Sequence, residues 1–233
     1  SAEAPAADGA PSASGDTIKV GLLANTTGDN AMYGNAVKNG AMLYFDEVNA
    51  AGGVNGKQIE VIALDEKGDA TEAVTAFNRL LDQGITALVG SVLTGPTIAV
   101  ADETYPINMP QVTASATAAG VTMIDPEDPA SEIRTNIFRS CFIDPFQGEK
   151  MAQYASEKLG AKTAAVIFET GSDYSVGLKD AFVEKCGELG VEVVAAEGYS
   201  KGDVDFKAQM TNIASKNPDV VFSPNYYQDD GMI

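Results

Sequence analysis

Three kinds of side chain in this sequence occur where they could hold a small polar guest. Hydroxyls cluster in GSVLTGPT at 90–97 and in TASATAAG at 113–120. Tyrosines stand at Tyr33, Tyr174 and Tyr226, each in a loop or at a loop–helix junction. Each loop follows a short apolar run, which is where ligands bind in open parallel sheets. Thr94, Ser115 and Thr117 would serve equally well as ordinary cap or turn residues taken singly; together, at the ends of adjacent strands, they suit anion capture as well as they suit capping. The tyrosines would supply an aromatic lining with hydroxyl handles, suited to an amphipathic guest, or half-buried packing.

The loops NTTGDNAMYG, SVLTGPT, TASATAAG, ETGSDYSVG and NYYQDDG contain no lysine or arginine. A nucleotide loop normally adds a lysine or the GxGxxG glycines. GGVNGKQ at 52–58 misses the phosphate-loop pattern, because Ala51 stands at the first glycine position. It also sits between a helix and a strand, so it reads as a turn. Histidine is absent, which removes the commonest general base and metal ligand. Cys141 and Cys186 lie too far apart in sequence for a CxxC pair and read as two unpaired thiols. Asp29, Asp173, Asp229 and Asp230 are loop acids in an acid-rich chain, and Asp173 reads as a helix cap. These features predict no enzyme, no metal and no cofactor.

The chain has 233 residues and a formal net charge of −18, which repels nucleic acid and anionic membrane surfaces. No apolar stretch is long enough to span a bilayer. Residues 1–16 hold only Ala, Ser, Pro, Gly, Asp and Glu and read as a flexible tether. From Thr17 onward, β-rich runs alternate with amphipathic stretches at 33–51, 70–83, 96–105, 145–159, 174–189 and 205–216. Asp69 with Glu72, and Asp144 with Gln147 and Pro145, resemble capping boxes. This predicts an α/β fold with parallel sheets. The proline- and charge-rich segment 120–136 suggests a boundary, giving lobes at 17–136 and 137–233.

The order and spacing of IKVGLLANTTGDNAMYGNAVKNGAMLYFDEVNAAGGVNGKQIEVIALD, GITALVGSVLTGPT, TASAT and DYSVGL resemble the extracytoplasmic solute-binding proteins of branched-chain amino acid ABC importers. The resemblance runs from Thr17 to the end. It implies the type I periplasmic binding fold, two Rossmann-like lobes closing by hinge motion on an amino acid or related carboxylate. By position, Tyr33 would line the side-chain pocket. Thr94 and Thr117 would offer hydroxyls to the α-carboxylate and α-amino groups, Ser115 and Ala116 backbone groups, and Tyr174 and Tyr226 would close from the second lobe. The implied partner is a transporter permease, with an extracytoplasmic location and membrane contact only through an N-terminal lipid anchor. Family members continue about a hundred residues further, so the second lobe is expected to be incomplete, in a truncated or split chain. The family's acidic partner for an α-ammonium is expected beyond Ile233. A ligand-sensing domain of a receptor or regulator would use the same fold.

Overall fold

The computed structural model describes residues 17–126, 128 and 130–233; the tether expected at 1–16 lies outside them. Two parallel sheets are present. The first has five strands in the order β2-β1-β3-β4-β5: β1 (Ile18–Ala24), β2 (Ile59–Asp65), β3 (Ala87–Val89), β4 (Gln111–Thr113) and β5 (Ile137–Arg139). The second has the order β7-β6-β8: β6 (Thr163–Glu169), β7 (Glu192–Tyr199) and β8 (Val220–Phe222). Helices α1 (Ala31–Ala50), α2 (Ala70–Asp82) and α3 (Thr94–Thr104) cover the first sheet. Helices α4 (Asp144–Gln153), α5 (Asp173–Glu188), α6 (Lys207–Lys216) and α7 (Tyr227–Met232) accompany the second.

The expected alternation therefore folds as parallel α/β. Leu22, Leu23, Phe77, Leu80 and Leu88 fill the first core, and Val166, Phe182 and Cys186 part of the second. Burial on both sheet faces explains why the strands read as continuous apolar runs rather than alternating ones. Asp69 caps α2, accepting from the amides of Thr71 at 2.9 Å and Glu72 at 3.0 Å. GGVNGK is a turn, as expected: a Cβ at Gly53 would lie 2.0 Å from the Lys57 carbonyl oxygen, so only glycine fits. Cys141 and Cys186 are both free thiols.

Three expectations change. The lobe boundary at 136 is too early, because β5 pairs in register with β4 and completes the first sheet. The switch between sheets falls in the short connection from β5 to α4. The described residues of segment 120–136 form an excursion packed on the first lobe. Its Arg134 is buried, donating to the Gly120 carbonyl and pairing with Asp102, and an isolated bridge joins Met123 to Ile133. Asp144 and Asp173 are not N-caps but the first residues of their helices. Ile143 precedes α4 without a side-chain cap, whereas Ser172 caps α5 by accepting from the Ser175 amide at 3.3 Å.

Candidate functional site

Strand order reverses direction between β1 and β3 in the first sheet and between β6 and β8 in the second. At such switch points the loops leave in opposite directions and open a crevice beyond the strands' carboxyl ends. Tyr33 follows β1, Thr94 follows β3, Tyr174 follows β6 and Tyr226 follows β8. The topology thus delivers one expected site residue from each side of both switch points.

The rings meet. Tyr174 and Tyr226 stack with centroids 5.0 Å apart and planes at 13°, and Tyr33 approaches Tyr226 at 6.0 Å. Tyr227, which the sequence reading passed over, lies 5.6 Å from Tyr33 and donates its hydroxyl to the Asp29 carbonyl at 2.7 Å. This bond joins α7 to the loop before α1 across the cleft. Close approach of α1 to that loop needs Gly34, where a Cβ would sit 2.1 Å from the Asn25 carbonyl oxygen.

Thr94 is buried at the start of α3, earlier than the expected helix start. Its amide lies against the Tyr226 phenol, lowering a pKa that burial otherwise raises. Pro96 has no N–H and the Thr97 amide donates to the Leu93 carbonyl at 3.0 Å, so within the first turn of α3 the Gly95 amide is the one left to meet a carboxylate. Ser115 donates its hydroxyl to the Val92 carbonyl at 2.8 Å. The Ala116 amide donates to Thr113 Oγ1 at 3.2 Å, and its carbonyl accepts from Arg139 at 3.0 Å. Ser115 and Ala116 thus already make internal bonds that shape the loop.

Thr117 differs. Its hydroxyl is buried without a well-formed hydrogen bond, and its carbonyl accepts the Asp144 amide at 3.1 Å. Asp144 is 1% exposed, and neither carboxylate oxygen has a well-formed hydrogen bond. Burial pushes its pKa up to about 6, opposed by the nearby Thr117 hydroxyl and Arg139 guanidinium. The Tyr174 hydroxyl is raised to about 12 by burial and then by the charge of Asp144, with Gln147 opposing. Asp144, Thr117, Tyr174 and Tyr226 are therefore electrostatic neighbours at the junction of the lobes. Gln147, expected to complete a capping box, faces Tyr174 instead.

An adjoining cleft of about 670 Å³ opens between the lobes, lined by Leu93, Gly95 and Pro96 on one side and Asp173, Tyr226 and Asp229 on the other. Of the expected site residues only Tyr226 lines it; the tyrosine cluster fills the space nearer Thr94. Lys67 and Lys201 also line it. They come from the loops after β2 and β7, outside the five lysine-free loops. No group of three metal-ligating side chains occurs among the described residues.

A family model described as periplasmic binding protein matches residues 17–230, so the chain belongs to that family. Among curated relatives it is 34% identical over 224 residues to the Leu/Ile/Val-binding protein BraC3 of Rhizobium johnstonii, covering 96% of this chain and 58% of the relative. Among solved structures it is similar to the leucine binding protein LivK of Thermotoga maritima, with a TM-score of 0.84 and 32% identity over 93% of this chain and 58% of that one. LivJ of Streptococcus pneumoniae, a branched-chain amino acid transporter substrate binding protein solved in complex with isoleucine, gives 0.82 and 36%, covering 93% and 59%. The chain thus spans under two thirds of the length of these relatives.

Proposed function

We propose that this chain forms the ligand-gripping part of an extracytoplasmic solute-binding protein that captures a small α-amino acid for an ABC importer. The observation that carries the reading is the buried Asp144 carboxylate beside the Thr117 hydroxyl, neither of which has a well-formed hydrogen bond. A buried carboxylate so weakly bonded is costly, and an ammonium group would satisfy both residues at once, alongside the acidic partner that the resemblance places beyond Ile233. The ligand's carboxylate would then meet the Gly95 amide and the Thr94 hydroxyl at the start of α3. Ser115 and Ala116 would add backbone contacts, Tyr174 and Tyr226 would cover the ligand from the second lobe, and Tyr33 would bound the side chain. No buried cation is needed for this arrangement.

Domain closure would couple capture to docking, since only the closed form presents both lobes to a permease together. An N-terminal lipid anchor would keep the protein at the membrane. The similarity to BraC3 and LivJ supports transport of branched-chain amino acids over a sensory role in a receptor. It also supports binding without catalysis, since these relatives are named as binding proteins. The test is a thermal-shift screen of the full-length protein against the amino acids and against aromatic carboxylates such as benzoate. Stabilisation by leucine, isoleucine or valine is expected. A protein stabilised by benzoate and by no amino acid would refute the assignment.

A further inference from the structure

Glu66 follows β2, directly before the cleft-lining Lys67, and is itself wholly buried. Its Oε1 accepts from Ser91 Oγ at 2.6 Å, and its Oε2 has no partner. The separation is that of a direct hydroxyl-to-carboxyl hydrogen bond. Burial pushes the Glu66 pKa up to about 7, the Ser91 hydroxyl and the Gly68 amide opposing it and Asp65 and Asp69 adding to the rise. A carboxyl kept in such surroundings costs stability, so its bond to a hydroxyl of the neighbouring loop invites a functional explanation.

Ser91 stands in the loop that leads from β3 to α3. Its carbonyl accepts from Thr113 Oγ1 at 2.8 Å, and the neighbouring Val92 carbonyl accepts from Ser115 Oγ at 2.8 Å. Thr113 Oγ1 in turn accepts from the amides of Ser115 at 3.4 Å and Ala116 at 3.2 Å. The Thr94 loop and the Thr117 loop are thereby fastened to each other, and Glu66 fastens the pair to β2.

We propose that Glu66 is a positioning residue which, through Ser91, fixes the start of α3 and the loop carrying Thr117 in the arrangement that receives the ligand. The assignment rests on the amino-acid reading given above for the ligand itself, whereas the fastening of the loops is a property of the ligand-free protein. Ligand affinity should therefore depend on a carboxyl that never touches the ligand. Glutamine at this position keeps an oxygen that accepts from Ser91; leucine does not.

The test compares Ser91→Ala, Glu66→Gln, Glu66→Leu and the Glu66→Leu/Ser91→Ala double variant in the full-length protein. Two quantities are read: amide hydrogen exchange across 91–97 and 113–117 without ligand, and affinity for L-isoleucine. Losing one charge-assisted hydrogen bond should speed exchange in these segments and weaken binding, each by about tenfold. Ser91→Ala and Glu66→Leu should agree, the double variant should be no worse than either, and Glu66→Gln should stay within about twofold of wild type. Protection in β6 should not change, which separates local positioning from general destabilisation. Unaltered exchange in Ser91→Ala, a variant too small to prevent folding, would overturn the proposal. So would a Glu66→Gln variant as impaired as Glu66→Leu. A wild-type protein that ignores isoleucine would instead remove the ligand assignment and leave the exchange comparison decisive for the positioning.

Discussion

Replacing Asp144 with asparagine should make the empty protein more stable and the ligand-binding protein nearly inactive. In the ligand-free fold the carboxylate is buried without a well-formed hydrogen bond, and its pKa rises from 3.8 to about 6. A group whose folded pKa lies above its unfolded value stabilises the fold below the unfolded pKa. That contribution is lost as pH rises through the folded pKa. Across the window from about pH 4 to pH 6, wild type should therefore lose roughly 3 kcal/mol that the asparagine variant keeps. Because the side chain is 1% exposed, solvent screening takes little from that figure. For a chain of this size the gain corresponds to about 5–10 °C in Tm near neutral pH, vanishing near pH 4. Ligand binding should respond in the opposite sense. Removing the charged partner of an ammonium group typically costs 2–5 kcal/mol, so isoleucine affinity should fall by at least about thirtyfold. In wild type, affinity should also decline below about pH 6, as Asp144 protonates. Scanning calorimetry with and without L-isoleucine, at neutral pH and near pH 4, reads all these effects. An Asp144→Asn variant less stable than wild type at neutral pH, or one that binds isoleucine normally, would refute the reasoning.

Tyr227→Phe removes the hydroxyl that bonds the Asp29 carbonyl across the cleft. Stopped-flow measurement should show ligand dissociation about three- to tenfold faster, with association little changed, since one neutral hydrogen bond is worth about 1 kcal/mol. Asp69→Ala deletes the α2 cap and should cost about 1 kcal/mol in urea unfolding without altering affinity. Gly34→Ala drives a methyl to 2.1 Å from the Asn25 carbonyl oxygen. It should lower Tm by more than the cap deletion does, because backbone rather than a flexible side chain must move.

The alternation of strands and helices was readable in the sequence because parallel strands buried on both faces are short apolar runs. The helices between them carried recognisable signals, such as Asp69 before α2. The loops after β1, β3, β4, β6 and β8 could be picked out for the same reason, and four of them deliver Tyr33, Thr94, Tyr174 and Tyr226 to the two switch points. β5 escaped because three residues, Ile137–Arg139, carry no periodicity, and only pairing with β4 makes them a strand. Asp144 escaped for a different reason. An aspartate before proline at a helix start has the local pattern of a cap, and tertiary packing turns it inward instead. Neither the burial of its carboxylate nor that of Glu66 has a local sequence signal. Both lie in contacts between segments distant in the chain, as does the bond from Tyr227 to Asp29.

The central claim is that the site grips a zwitterion, with Asp144 and Thr117 holding the ammonium and the start of α3 holding the carboxylate. Calorimetric titration of the full-length protein with L-isoleucine and with 3-methylpentanoate, its analogue lacking the amino group, tests this most directly. The account predicts that isoleucine binds and that the analogue binds at least about a hundredfold more weakly, because it would leave the Asp144 carboxylate buried and unpaired. Equal affinity for the two, or tighter binding of the analogue, would contradict it.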